Sequence, residues 1–386
     1  MAGLSLVELM VAILLGTFLL LGLVQVFSAS RVAYQLSQGV ARAQENGRFA
    51  MDFLLRDMRM VGHGGCVNDQ ALTMVGGGGV NSSLDASQFA LRFDVAIQGY
   101  EANGTGSGAA VALPATPVEG EAASWSPALP AELTGLANSP IAGSDVIVLR
   151  FLSPVGTTLS GLGMGSPATI TPVADGATVA TEFATARSLF ALADCQRATV
   201  FQASSINAAT GQLGVSASGL NATALGGLER YSVGQTVLYR AESVAYYVAL
   251  NASGNPALYR ARWEAAPGSG TLTRTPEELV EGIETLQFMY GKDAAPLTDA
   301  APKGYIDSYA NAGEIGDPIS DGAKVLDWRR VGTVQLGVIA RSIQRAGNYE
   351  QPTENVLGVV FTPPGDRHYR SVYENTVALR NRMFGN

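Results

Sequence analysis

Histidine and cysteine are nearly missing from this chain: two of each, His63, His368, Cys66 and Cys195, in 386 residues. That scarcity excludes a His-rich metal set and a Cys-x-x-Cys redox pair. Lysine is scarce too, 3 residues against 22 arginines, and no Gly-Lys-Ser/Thr phosphate loop occurs. The net charge is −8 without a basic cluster, which argues against nucleic acid as a partner. Gly161-Leu162-Gly163-Met164-Gly165 opens like a dinucleotide loop. It lacks the third glycine at the right spacing and a following helix pattern, so it reads as a loop. Asn-x-Ser/Thr sequons at Asn81, Asn103, Asn221 and Asn251 read as chance. Asp293, Asp299, Asp307, Glu314, Asp317 and Asp321 offer oxygen ligands for calcium, but not at an EF-hand spacing, and read as a solvated loop. The expectation is a chain with no catalytic residues, no cofactor and no metal.

Charge is also missing where it is most informative. From Leu6 to Phe27 the single charged residue is Glu8, at the head of an apolar run. About 20 apolar residues suffice to span a bilayer. A carboxylate at the bilayer centre costs roughly 2.5 kcal/mol or more, so Glu8 needs a reason to be there. A cleaved secretory signal fits poorly, because the run is too long and no small-residue exit site follows. A plain membrane anchor does not need Glu8.

Helical periodicity continues beyond the apolar run. Val32, Leu36, Val40, Ala43, Ala50, Leu54, Met58 and Val61 recur at steps of mostly three and four, with Gly47 in the same stripe. Arg48, Asp52 and Arg56 follow at i, i+4 and i+8 on a solvated face, where opposite charges can meet. One helix over Leu4–Val61 would reach about 87 Å at 1.5 Å per residue. Gly62-His63-Gly64-Gly65 ends it, and Gly16, Gly22, Gly39 and Gly47 weaken it locally.

After Gly65 the signals are strand-like. Candidate strands are Phe89–Ile97, Asp145–Leu152, Ala198–Gln202, Gln235–Ala241, Ser243–Leu250, Ala257–Trp263, Thr285–Tyr290, Thr333–Arg341 and Tyr369–Arg380. Asn251 to Pro256 reads as a hairpin connection. Thr275-Pro276-Glu277-Glu278 reads as the start of a short helix over Thr275–Glu284. Gly99–Pro140, Ser204–Gly227 and Ala294–Asp321 read as long loops, either functional or surface insertions. Cys66 and Cys195 pair if the body folds in an oxidising compartment; otherwise they are two unrelated buried thiols.

The order Gly3, Leu4, then Glu8 five positions after the glycine, heading a membrane helix, resembles the processing site of type IV prepilins and pseudopilins. Further blocks resemble the PilW-type minor pilins: Gln44-Glu45-Asn46-Gly47-Arg48-Phe49-Ala50-Met51-Asp52-Phe53-Leu54, then Gly65-Cys66, Asp194-Cys195, Leu279-Val280-Glu281-Gly282-Ile283-Glu284-Thr285-Leu286-Gln287-Phe288 and Thr376-Val377-Ala378-Leu379-Arg380-Asn381-Arg382. The resemblance implies cleavage between Gly3 and Leu4 by a prepilin peptidase, N-methylation of Leu4, and an assembly role for Glu8. It places Cys66 and Cys195 at the family's two cysteine positions. Met1-Ala2 lacks the basic residues of such leaders, which reads as a leader shortened by the choice of start site.

The fold expected is therefore α+β and pilin-like, a long N-terminal membrane-spanning helix packed on a large β-rich globular head. Residues 1–3 would be leader, 4–29 the membrane and assembly half of the helix, 30–61 the docked half, and 62–386 the head. The function implied is that of a minor pilin in a tip or priming complex. It would sit in the bacterial inner membrane with a periplasmic head, and on the pilus after assembly. Its partners would be other minor pilins, a tip adhesin and the major pilin. A J-type pseudopilin of a type II secretion system is the nearest rival, and the length and the Arg-Asn-Arg ending favour the pilus branch. A membrane-anchored periplasmic enzyme is the rival from another class.

Overall fold

The computed structural model describes residues 5–67, 80–173, 187–207, 209–294, 305–346 and 351–382. Its first element is one helix, α1 (Leu6–Met60), which at about 1.5 Å per residue is about 82 Å long. Leu, Ala, Met, Glu, Gln and Arg dominate it, and all favour helix. Ser5 caps its start, and Val61 and Gly62 leave helical geometry at its end, Gly62 with φ +70°.

The strands in chain order are β1 (Asn81–Ser82), β2 (Ile97–Ala102), β3 (Ala110–Ala112), β4 (Trp125–Ser126), β5 (Val146–Gly163), β6 (Ala168–Pro172), β7 (Leu189–Ala193), β8 (Ala198–Gln202), β9 (Ser205–Ile206) and β10 (Leu213–Val215). They continue with β11 (Val237–Leu250), β12 (Pro256–Glu264), β13 (Thr273–Glu281), β14 (Ile283–Lys292), β15 (Ser308–Ala310), β16 (Val331–Arg345), β17 (Glu354–Val356), β18 (Val359–Thr362) and β19 (His368–Ala378). Among the described residues three short helices join them: α2 (Ala131–Thr134), α3 (Ala312–Ile315) and α4 (Ala323–Arg329).

A 12-stranded sheet centres on β5 and β11, with β12 and then β13 branching from β11. A second sheet runs β15-β14-β16-β19, all antiparallel. A small third sheet, β17-β18-β3, packs Val356, Val359 and Phe361 against Ile339 of β16. Period-two alternation sorts the large sheet's side chains between two cores. Ile147, Leu149, Val244, Tyr246 and Val248 share one core with Met51, Leu54 and Met58 of α1 and with Leu286, Phe288, Leu336 and Val338 of the second sheet. Val146, Val148, Ala245, Tyr247 and Ala249 face the other core, under Trp125, Leu129 and Leu133. The docked end of α1 is thus a third layer where the two sheets meet.

Several expectations need correction. Thr275–Glu284 is not a helix. It is mostly β13, a turn at Gly282, and the start of β14. Thr-Pro-Glu-Glu suits a helix start, but β13 is the outer strand beside β12, where a proline removes no needed ladder bond. Phe89–Ile97 is not one strand: Phe89–Leu91 form a 3-10 turn, and β2 starts at Ile97. The Arg150 guanidinium takes the Val95 and Phe89 carbonyls at 2.8 and 2.7 Å, which holds this segment out of any ladder. Gln235–Ala241 and Ser243–Leu250 fuse into β11, with an irregular register against β5 between Tyr239 and Ala241.

The stretch expected as loop between Gly99 and Pro140 carries β2, β3, β4 and α2 and roofs the second core. Ser204–Gly227 holds β9 and β10, and the described part of Ala294–Asp321 holds β15 and α3. The glycines at 161 and 163 belong to the end of β5. The hairpin at Asn251–Pro256 is present, with Leu250 opposite Pro256.

Candidate assembly site

The site is α1 and whatever its surfaces can meet. Gly3 and Leu4 lie outside the described residues. Glu8 sits in the first turn in a reciprocal capping box: its backbone N–H donates to Ser5 Oγ at 3.2 Å, and its carboxylate accepts from the Ser5 N–H at 3.1 Å. A carboxylate at a helix N-terminus also meets the positive end of the helix dipole. From Leu6 to Phe27 every large apolar side chain is 50–76 % exposed. The most apolar 18-residue window has a mean hydropathy of 2.5 and no buried residue. By length and composition this stretch can cross a bilayer.

Burial on the head begins at Gly39 and proceeds through Ala43, Gly47, Ala50, Met51, Leu54 and Met58 to Val61. The stripe read from the sequence holds from Ala43 onward. Val32 is exposed, and Leu36 and Val40 are half-buried, because the head ends below them. Gly47 is the point of closest approach: a Cβ there would fall into the ring of Tyr373 on β19. Gly39 is less demanding, since a Cβ would meet Ser342 and Ala346 at 3.4 Å, an ordinary contact.

Polar groups fix the register along this seam. Asn46 Nδ2 donates to the Glu281 carbonyl at 2.8 Å. The Asp57 carboxylate accepts from the Tyr246 hydroxyl at 2.6 Å and from Arg260 at 3.4 Å. Burial and then the neighbouring Asp57 charge push the Tyr246 phenol well above its usual range, so it stays a donor. At the helix end, Asn381 Nδ2 donates to the Arg59 carbonyl at 3.1 Å and the Val61 carbonyl at 3.3 Å. Those are carbonyls that a helix C-terminus leaves without an internal partner.

The socket itself is built around Glu284. Its carboxylate accepts from Arg370 Nε at 2.6 Å and Nη2 at 2.9 Å, and from Arg341 at 3.5 Å, with all three side chains buried. Arg370 also holds Asp366 at 2.7 Å. Burial alone would raise the Asp366 carboxyl, but Arg370 and the His368 N–H outweigh it and hold it down at about 2. The turn before Glu284 needs Gly282, with φ +81°, because a Cβ there would strike the Arg341 carbonyl at 2.6 Å. Asp145 ties the two sheets together by accepting from the N–H groups of Ala102 on β2 and Phe288 on β14, at 2.8 and 2.9 Å. Burial, and then the charge of Asp145, drive the neighbouring Glu101 carboxyl up, so that it holds a proton.

Cys66 and Cys195 are joined in a disulfide that links the segment just after α1 to the turn between β7 and β8. Both residues are exposed, so neither is a buried thiol. Of the acidic loop residues, Asp307, Asp317 and Asp321 accept from nearby backbone N–H groups, Glu314 closes a capping box with Asn311, and Asp293 is buried. Asp299 lies outside the described residues. Among the described residues no three metal-ligating groups converge. His63 accepts from or donates to the Leu152 carbonyl, and His368 does so with the Ser342 carbonyl, each 90 or fewer residues away in the head.

Sequence reasoning on residue roles missed Asn46, Glu281, Glu284, Arg370 and Asn381. The signal was available, since four of these five lie in the sequence blocks quoted above. Their pairing is a tertiary fact and had no local pattern.

Residues 245–381 match the family model PilW, type IV pilus-assembly protein W. No curated protein and no solved structure matched the chain. The matched stretch begins within β11, includes Glu281, Glu284 and Arg370, and ends on Asn381, so it is the part of the head that forms the socket for α1. Over that block the chain is similar to a family of type IV pilus-assembly proteins.

Proposed function

We propose that this chain is a minor pilin that joins other minor pilins in a tip or priming complex from which a type IV pilus grows. Before assembly it is stored in the inner membrane with its head in the periplasm. A prepilin peptidase cuts between Gly3 and Leu4, and Leu4 is N-methylated. The observation that carries this reading is the division of α1, with one half wholly uncovered and apolar and the other locked into the matched part of the head. A helix apolar all round must end in lipid or among other helices. The same half serves both, first in the membrane and then in the filament.

Glu8 has a defined part in that transfer. Among the described residues of the single subunit its charge is held by its own helix start, through Ser5. A neighbour's N-terminal amine offers an opposite full charge in surroundings of low dielectric, where pairing is strong and register-specific. The J-type pseudopilin reading shares this helix, and the match to a pilus-assembly family favours the pilus.

Two measurements test the proposal. Intact-mass analysis of membrane-extracted protein should give a chain starting at methylated Leu4; an unprocessed start at Met1 in cells with active peptidase would refute the processing step. Glu8→Ala should leave membrane insertion intact while reducing surface piliation and co-purification with other pilus components. Normal levels of both would remove the assembly role of Glu8.

A further inference from the structure

The docked half of α1 has an outer face as distinctive as its inner one. Opposite the buried stripe, Arg31, Tyr34, Gln38, Arg42, Glu45, Arg48, Phe49, Asp52, Arg56 and Arg59 are all exposed. Five arginines against two carboxylates leave three positive charges in excess along one helix face. The expected pairing of Arg48 and Arg56 with Asp52 does not form, and among the described residues no ion pair involves any of these seven charged side chains. Elsewhere the arginines are engaged: Arg92 with Asp94, Arg187 with Glu264, Arg260 with Asp57 and Glu277, Arg262 with Glu242, and Arg370 with Glu284. The rest of the chain is acidic. α1 holds five arginines and four carboxylates, so the remainder carries −9 of the overall −8.

We propose that this face is an inter-subunit docking surface whose occupant is the acidic head of a neighbouring pilin-type subunit. The inference rests on the reading of the chain as a pilus subunit. Three features fit it to carboxylates on a protein. All the cations are arginine, whose planar fork binds a carboxylate with two parallel hydrogen bonds, and α1 contains no lysine. Phe49, 50 % exposed, and Tyr34, 64 % exposed, lie on the same face and supply the apolar contact that a protein interface needs at its centre. This head itself presents carboxylates at an edge: Glu278, and Glu277 beside its partner Arg260, are exposed on β13, which pairs only with β12 among the described strands. Anionic lipid is the poorer occupant. Arg42 lies 15 residues beyond Phe27, about 22 Å along the helix, and Arg48, Arg56 and Arg59 lie farther still.

Electrostatic contacts of this type set partner choice and association rate, and they weaken with salt. The test uses the full chain expressed in a piliated strain, with two variants. One is Arg42→Gln/Arg48→Gln/Arg56→Gln, and the other reverses the same three positions to Glu. Arg230→Glu, an exposed arginine elsewhere on the head, is the matched charge control. Thermal melting and the state of the disulfide report folding. The neutral variant should lower co-purification with other pilus components at low salt about tenfold, and reversal should lower it further. High salt should erase the difference from wild type, and the Arg230 variant should behave as wild type.

Co-purification of the folded neutral variant at wild-type level and with wild-type salt dependence would overturn the proposal. So would loss of binding to vesicles rich in anionic lipid with co-purification unchanged. Glu8→Ala separates the two levels of inference. If it reduces co-purification and the arginine variants do not, the pilin reading stands and the docking face falls; if neither changes it, the docking face and the assembly role of Glu8 both fall, and an unprocessed start at Met1 would overturn the pilin reading itself.

Discussion

The two halves of α1 share a backbone and differ in almost everything else. From Leu6 to Phe27 none of the other described elements covers the helix, and Gly16 and Gly22 have no described atom near the place of a Cβ. From Gly39 to Val61 the same helix is held by a ring packed on Gly47, by Asn46, Asp57 and Asn381, and by a socket built on a buried ion network. The first half is specified by composition alone: any apolar helix formers would serve, apart from Glu8. The second half is specified by shape and by hydrogen bonds at single positions. On the proposed function, a half that passes from lipid into a filament gains from being unspecific, whereas the half that orients the head is exact in register.

The largest effect should come from cutting the covalent tie beside the docked half. The disulfide closes a separation of 129 residues, and for a loop of that order the chain-entropy model gives about 4–5 kcal/mol. Cys66→Ser/Cys195→Ser should lower the unfolding free energy of the head by that order, and its denaturation midpoint with it, while the helicity and membrane insertion of the apolar half stay as they were. A variant with an unchanged midpoint would mean that the noncovalent seam suffices and that the tie is redundant.

The contrast between the halves also explains what could be read in advance. The helix, its end at Gly62 and its inner stripe from Ala43 are local, periodic features, and so was the strand run from Ala198 to Gln202. What meets across long separations was not legible as contact: Asn46 finds Glu281 across 235 residues, and Arg370 finds Glu284 across 86. β13 was misread because Thr-Pro-Glu-Glu satisfies a helix start and an outer strand equally, and pairing with β12 decided. β7, Leu189–Ala193, escaped because a short run buried on both faces shows no alternation. The region from Gly99 to Pro140 reads as loop for its small residues, yet Trp125, Leu129 and Leu133 are enough to make it a cover. At the site, Glu8 stood out because one charge in an apolar run is conspicuous, whereas Glu284 is one acid among 33 acidic residues.

A sharper comparison sets one glycine against another. Gly47→Ala places a methyl where Tyr373 packs, and overfilling a packed site costs about 1–3 kcal/mol. Gly22→Ala meets nothing, and replacing glycine by alanine inside a helix gains about 1 kcal/mol of local helix stability. Chemical denaturation of the full chain in detergent should therefore show the Gly47 variant less stable and the Gly22 variant unchanged or better. Equal behaviour of the two would erase the distinction between a specified and an unspecified half. Gly47→Ala/Tyr373→Phe should not rescue the loss, because it is the ring and not the hydroxyl that occupies the space; Gly47→Ala/Tyr373→Ala should recover part of it.

The smallest effect should appear at the very end of the docked half. Asn381 is a half-buried residue on the 3-10 turn Arg380–Arg382, and its amide donates to the carbonyls of Arg59 and Val61 at the end of α1. Hydrogen bonds of this kind contribute about 0.5–1.5 kcal/mol each in net terms, and less where water competes. Asn381→Ala should therefore cost about 1 kcal/mol and should act locally. Amide exchange should quicken from Leu55 to Val61, where the helix ends against the head, and remain as in wild type around Ala43 and Gly47. Asn381→Asp retains the size but replaces a donor by an acceptor, and it brings a negative charge to the negative end of a helix dipole. It should be worse than Ala. If Asp instead matched or exceeded Asn, the amide would not be acting as a donor to the helix end, and the chain's C-terminal segment would have to be read as surface rather than as the cap of α1.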